Sequence, residues 1–240
     1  MTAARRFPAT LGLASALALL PAPAVAQAWQ CRVPPSVNVP RLPRADGPRI
    51  STPVTGYVLA LSWSPEFCHG RGNGSDSRLQ CSGRIGRFGF ILHGLWPEGR
   101  GRDPQWCAAA QGLTERTVRE NLCVTPSPRL MAHEWAKHGA CMARTPAGYL
   151  KAGRVLFHSM HFPDMARLSR KDGLSAGMVR AALVKETPFL STDMIRLQVN
   201  ARGWLEEVQV CYGRDFMPAR CPGGTGPRDS QPVKIWRSFS

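Results

Sequence analysis

Several things are missing from this chain of 240 residues. Past the N-terminal segment, no apolar run approaches the ~20 residues needed to cross a bilayer, so no internal membrane span is expected. No internal repeat is visible, so a repeat architecture is not expected. None of the eight cysteines makes a C-x-x-C pair, which argues against a zinc knuckle. Acids are scarce. Sixteen Asp and Glu stand against 31 Lys and Arg, for a formal net charge of +15. Such a field steers a polyanion such as nucleic acid, or an acidic surface, towards the protein. Solubility or a general arginine bias would account for the same charge, so charge alone leaves the partner open.

What is present begins with a leader. Residues 1–26 read as a secretory signal peptide. Arg5 and Arg6 form its basic region and Leu11–Leu20 a short apolar region. Ala24-Val25-Ala26 forms an A-x-A cleavage signal, with Ala26-Gln27-Ala28 as the alternative. The fuller twin-arginine motif is absent, which favours ordinary secretion; an anchor helix is disfavoured because the apolar region is too short. Losing the leader removes two arginines and no acids, leaving +13. Eight cysteines beyond the leader suit an oxidising compartment and four disulfides. The expected destination is therefore periplasmic or secreted, without membrane association once the leader is gone.

Length and ordinary apolar content suit one medium domain. Residues 27–55 are rich in proline and arginine and read as an extended surface arm that Cys31 could tie down. The run Gly56–Trp63 reads as a central strand. Between Cys68 and Cys81 the composition is that of a disulfide-closed loop. Phe88–His93 reads as a second strand that ends at His93, with Gly94–Gly99 as a shaped turn. Thr114, Ser127, Thr145 and Ser175 are helix caps. Ile195–Val199 and Leu205–Cys211 alternate as a hairpin, and Pro232–Trp236 reads as a last short strand. Strands early, helices in the middle and strands late indicate an α+β domain.

The helix capped by Ser127 and begun by Pro128 carries His133, Glu134, Lys137 and His138, with Gly139 as its stop. Crowding two histidines, an acid and a cation onto one short helix does little for stability. Zinc binding fits poorly. His133 and His138 are five apart, which turns them about 140° from one another, against about 40° for a spacing of four. A merely structural histidine-rich helix end would not need Glu134 and Lys137 as well. Metal-free acid–base chemistry on RNA fits better. The 2′-hydroxyl is a built-in nucleophile, and histidines can move its proton and that of the leaving oxygen. Base and acid must stand on opposite sides of the phosphorus. One helix cannot easily supply both, so His93, from a separate strand, is the natural partner of His138.

Phe90-Ile91-Leu92-His93-Gly94-Leu95-Trp96-Pro97 and His133-Glu134-Trp135-Ala136-Lys137-His138-Gly139-Ala140-Cys141 resemble, in this order, the two active-site segments of the ribonuclease T2 family. Tyr57–Cys68 and Val208–Cys221 resemble its first core strand and its C-terminal strand pair with disulfide. The resemblance runs from Gly56 to Trp236, so residues 56–240 would be the catalytic domain and the arm is left unaccounted for. It implies an α+β fold with a central antiparallel sheet. It also implies a cofactor-free, metal-independent endoribonuclease that works through a 2′,3′-cyclic phosphate to 3′-phosphate ends. By motif, His93 and His138 would be the acid–base pair. His133, with Lys137, would bind phosphate, and Glu134 and Lys137 would stabilise the transition state. Trp96, Glu98 and Leu130 would contact bases.

Leu130 stands where many relatives carry an aromatic, which weakens stacking and puts base preference in doubt. The other histidines, His69, His158 and His161, read as surface or structural, and Trp135 as packing. Cys107–Cys141 would pin the catalytic helix to the loop after His93. Cys211–Cys221 and Cys68–Cys81 would be local pairs, with Cys31–Cys123 following by elimination. The expectation is a monomer acting on single-stranded RNA with low base specificity. A basic polyanion-binding protein with no catalysis is the competing reading.

Overall fold

A computed structural model describes Met1 and residues 30–69, 71, 74–75, 77–108 and 111–237. The leader and its cleavage points lie outside the described residues. The elements run β1 (Val54–Trp63), α1 (Ser64–Cys68), α2 (Arg78–Cys81), β2 (Phe90–Gly99), α3 (Glu115–Asn121), α4 (Pro128–Lys137), α5 (Pro146–Ser159), α6 (Met165–Leu168), α7 (Ala176–Glu186), β3 (Ile195–Val199) and β4 (Leu205–Gly213). The four strands make one antiparallel sheet in the order β2-β1-β4-β3. This is the α+β architecture with a central antiparallel sheet. Among the described residues no helix is long and apolar enough to cross a membrane.

Strand alternation gives the sheet two unlike faces. Leu59, Leu61, Leu95, Val208, Val210, Ile195 and Leu197 are all buried in one core with the helices. In register on the other face stand Ser62 opposite Glu207, Ala60 opposite Gln209, and Arg196 opposite Gln209. That polar face carries the site.

Helix caps follow the sequence. Thr114, Ser127, Thr145 and Ser175 each accept a backbone N–H from the first turn of α3, α4, α5 and α7. Gly139 acts differently from the expected stop. α4 ends at Lys137, His138 caps it, and a 3-10 turn follows over Gly139–Cys141. The glycine is needed for close approach, because a Cβ there would lie 2.6 Å from both Trp135 and Tyr149.

Two expectations are corrected. β2 does not end at His93; it pairs with β1 through Gly99. Ala60 pairs with Gly94 but Leu61 with Leu92, so His93 is the extra residue of a β-bulge. Pro97 is tolerated because β2 is an edge strand. The segment Pro232–Trp236 is not a strand and makes only isolated bridges, at Pro232 with Ser175 and at Lys234 with Trp204. Its neighbours change along its length, since Val233 N–H donates to Leu174 and Lys234 N–H to Gly203, so no ladder builds.

Four disulfides join Cys31 to Cys123, Cys68 to Cys81, Cys107 to Cys141 and Cys211 to Cys221. Residues 30–53 run without helix or strand across the surface. Val33, Val37, Val39 and Leu42 pack against the core, and Ile50 bridges Gln105.

Candidate active site

Two elements bring the predicted residues together. α4 lies along the outer edge of β2. Leu92 N–H donates to Val124 and Thr125 Oγ1 to the Leu92 carbonyl, just ahead of the helix. The bulge at His93 and the helix then face one another over a cleft of about 1090 Å³, lined by Ser62, Phe67, Arg71, His93, Leu130 and His133.

Glu134 is buried at the junction. Its Oε2 accepts the indole N–H of Trp96 at 2.6 Å, and its Oε1 lies 3.5 Å from His93 Nε2. Burial pushes its carboxyl up to about 7, against the pull of His93 and Trp96. Gly94 makes room for this, since a Cβ there would come within 2.1 Å of Glu134 Oε2.

Trp96 neighbours both histidines. Its ring centre is 5.2 Å from that of His93 and 5.6 Å from that of His138. The two imidazoles are in opposite electrostatic settings. Burial disfavours a charge on His93, but the hydrogen bond to Glu207 and the neighbouring Glu134 outweigh it and raise its pKa. For His138, burial, Lys137, His133 and His93 all act against a proton, and its pKa falls to about 3. Its Nδ1 is buried with no hydrogen-bond partner among the described residues. Burial and Lys137 also lower the pKa of His133, which lies edge-on to Trp106 at 5.6 Å.

Lys137 Nζ lies 3.6 Å from Asp46 of the arm and 5.8 Å from the ring centre of Trp106. Leu130 sits in the first turn of α4 on the cleft wall. Glu98 lies at the far end of β2 opposite Gly56, with burial raising its pKa, and does not line the cleft. Trp135 is in the core, His69 stacks on Trp236 at 3.9 Å, and His158 and His161 are exposed. The Cys107–Cys141 bridge, with Trp106 N–H donating to the Lys137 carbonyl, ties the loop after β2 to the end of α4.

Sequence reasoning missed Glu207, Ser62, Gln209 and Asp46. Glu207 Oε2 lies 2.6 Å from His93 Nδ1 and accepts from Ser62 Oγ at 3.2 Å. The signal was faint: Glu207 and Gln209 share one parity of a strand whose other parity holds Val208 and Val210. Asp46 stands in a segment without periodicity and could not have been found that way.

The chain matches the Ribonuclease T2 family over residues 54–217. A probable ribonuclease of Haemophilus influenzae is 29% identical over 187 residues, 73% of this chain and 64% of that protein. A ribonuclease of Aeromonas hydrophila is 41% identical over 85 residues, 35% of this chain and 36% of that protein. The chain thus spans less than two thirds of the length of these relatives. Among solved structures, trichomaglin, described as an S-like ribonuclease, superposes with a TM-score of 0.60 at 17% identity, covering 78% of this chain and 100% of its own. RNase NT in complex with 5′-AMP gives 0.57 at 19% identity, covering 78% and 100%. At such identities these two support the fold, and the family match carries the rest: the chain belongs to the ribonuclease T2 family.

Proposed function

We propose that this chain is an endoribonuclease cleaving single-stranded RNA by metal-independent acid–base transphosphorylation, with low base specificity. The observation that carries this reading is the convergence of His93 and His138, from different elements, on Trp96, whose ring centre lies 5.2 Å from one and 5.6 Å from the other. An in-line displacement at phosphorus needs a base and an acid on opposite sides of the phosphorus, which one helix cannot easily supply.

In the first step the neutral His138 takes the 2′-hydroxyl proton and the 2′-oxygen bonds to phosphorus. The phosphorus–5′-oxygen bond breaks, and His93, held protonated between Glu207 and Glu134, gives its proton to the leaving oxygen. The product is a 2′,3′-cyclic phosphate. In the second step water replaces the 5′-hydroxyl, the two histidines exchange roles, and a 3′-phosphate results. His133 and Lys137 bind the phosphate, and Glu134 and Lys137 stabilise the phosphorane. Trp96 and Leu130 contact the bases. Residues 1–26 serve as signal peptide, 27–55 as arm and 56–240 as catalytic domain, acting as a monomer in the periplasm or outside the cell.

The test is digestion of a defined RNA with EDTA present, mapping cut sites and termini. Cuts with cyclic and then 3′-phosphate ends are expected, with DNA left intact. Loss of cleavage in EDTA, restored by a divalent metal, would overturn the reading. So would near-normal turnover in His93→Ala or His138→Ala.

A further inference from the structure

The polar face of the sheet carries a chain of hydrogen bonds that ends on His93. Arg196 Nη1 donates to Gln209 Oε1 at 3.2 Å, and Gln209 Nε2 donates to Glu207 Oε1 at 2.8 Å. Glu207 Oε2 then receives Ser62 Oγ at 3.2 Å and His93 Nδ1 at 2.6 Å. Arg196 is itself anchored, with Nε donating to the Gly224 carbonyl at 3.0 Å and Nη2 to that of Pro222. Both carboxylate oxygens of the buried Glu207 are thus fixed before substrate arrives. A hydrogen bond from a charged or charge-bearing partner in a low-dielectric setting is stronger than one in water.

We propose that Glu207 is the positioning residue of the acid–base pair: it fixes the Nδ1–H tautomer of His93, aims Nε2 into the cleft, and is itself held by Gln209 and Ser62. The inference rests on the reading of His93 as a proton-transfer group. His93 sits on a bulge, where the strand ladder alone leaves ring orientation free, so an outside acceptor is required to define it. Glu207 meets that need from the neighbouring region of the sheet. A paired carboxylate also favours the imidazolium. The other charged or titratable groups near His93 are Glu134, His133 and His138 from α4 and its cap, Arg71 across the cleft, and Glu66, His69, Arg202 and Glu206 lining the adjoining cleft that His93 and Glu207 share. Of these, Glu134 competes at the opposite nitrogen, Nε2, but from 3.5 Å against 2.6 Å for Glu207 at Nδ1, so the shorter bond sets the tautomer.

The experiment compares wild type with Glu207→Gln, Glu207→Ala, Gln209→Ala and the double variant, using a short RNA across pH, with His93→Ala as the reference. Glu207→Gln is isosteric, so it tests the idea even where the alanine variant folds poorly. Expected are a fall in kcat of about tenfold for Glu207→Gln and about a hundredfold for Glu207→Ala, with KM changed less than about twofold. The basic limb of the pH–rate profile moves to lower pH in both. Gln209→Ala gives a smaller loss that disappears when Glu207 is already alanine, because it acts through Glu207. In ¹⁵N-resolved NMR the His93 Nδ1 proton, far downfield in wild type, shifts upfield in Glu207→Gln. A folded Glu207→Gln enzyme with wild-type kcat and an unmoved basic limb, while His93→Ala is inactive, overturns the positioning role and leaves the proposed function standing. An active His93→Ala overturns both.

Discussion

The indole N–H of Trp96 donates to Glu134 Oε2 at 2.6 Å, joining a β2 side chain to an α4 side chain beside both histidines. Glu134 is almost wholly buried, so this bond and the His93 ring are its compensation for lost water. Trp96→Phe keeps most of the apolar contact with Val58 and the Cys211–Cys221 bridge but removes the donor. The expected result is a further rise in the Glu134 pKa and a drop in kcat of about tenfold, one charge-assisted hydrogen bond being worth about 1.5–3 kcal/mol. Steady-state kinetics on a short RNA check it, with circular dichroism as the folding control.

Activity should be greatest on the acidic side of neutrality. A general base must be unprotonated, so rate rises with pH through the His138 pKa, lowered to about 3. A general acid must be protonated, so rate falls as pH passes the His93 pKa, which lies above its ordinary 6.5. Between them the rate is high, and it declines on the alkaline side. A profile of kcat/KM that instead climbs from neutrality into alkali would overturn the acid–base pairing of these two histidines.

Gly94→Ala should abolish activity while leaving the chain foldable. The new Cβ would lie 2.1 Å from Glu134 Oε2 and 2.7 Å from Trp96 Nε1, so the helix carboxylate must move off the histidine. Overpacking of this kind costs about 1–3 kcal/mol. A thermal melt should fall by several degrees, with kcat down far more than that loss of stability explains. Normal kcat would show that Glu134 has no catalytic part.

Much of this arrangement was legible in the sequence where its cause is local. Caps at Thr114, Ser127, Thr145 and Ser175 announce themselves within four residues, and the apolar run of β1 needs no partner to be read. His93 was found by motif, but its bulge was not, because an extra residue exists only relative to the register of β1. Glu207 is 114 residues from the histidine it holds, and nothing near it in sequence marks the pairing. Pro232–Trp236 alternates like a strand because Val233 and Ile235 are buried. Burial alternation alone does not supply a continuous partner.

Asp46 comes from the arm, outside the stretch that matches the family, yet its carboxylate faces the cation proposed to meet the phosphate. It accepts the Trp106 indole N–H at 3.0 Å and lies 3.6 Å from Lys137 Nζ. Two roles compete. As an anchor it would hold Lys137 for the substrate; as a resident anion it would weaken the pull of Lys137 on an incoming phosphate. Asp46 is largely exposed, at 58%, so its hold on Lys137 is weak, on the order of 0–1 kcal/mol. Its negative charge is present whenever substrate arrives, so the second role outweighs the first. Asp46→Asn keeps an acceptor for Trp106 and removes only the charge. The expected outcome is a KM for RNA lower by about two- to fivefold in dilute buffer, with kcat nearly unchanged. The gain should vanish near 1 M salt, where screening shortens to about 3 Å. A higher KM at every salt concentration would instead make Asp46 the anchor of Lys137.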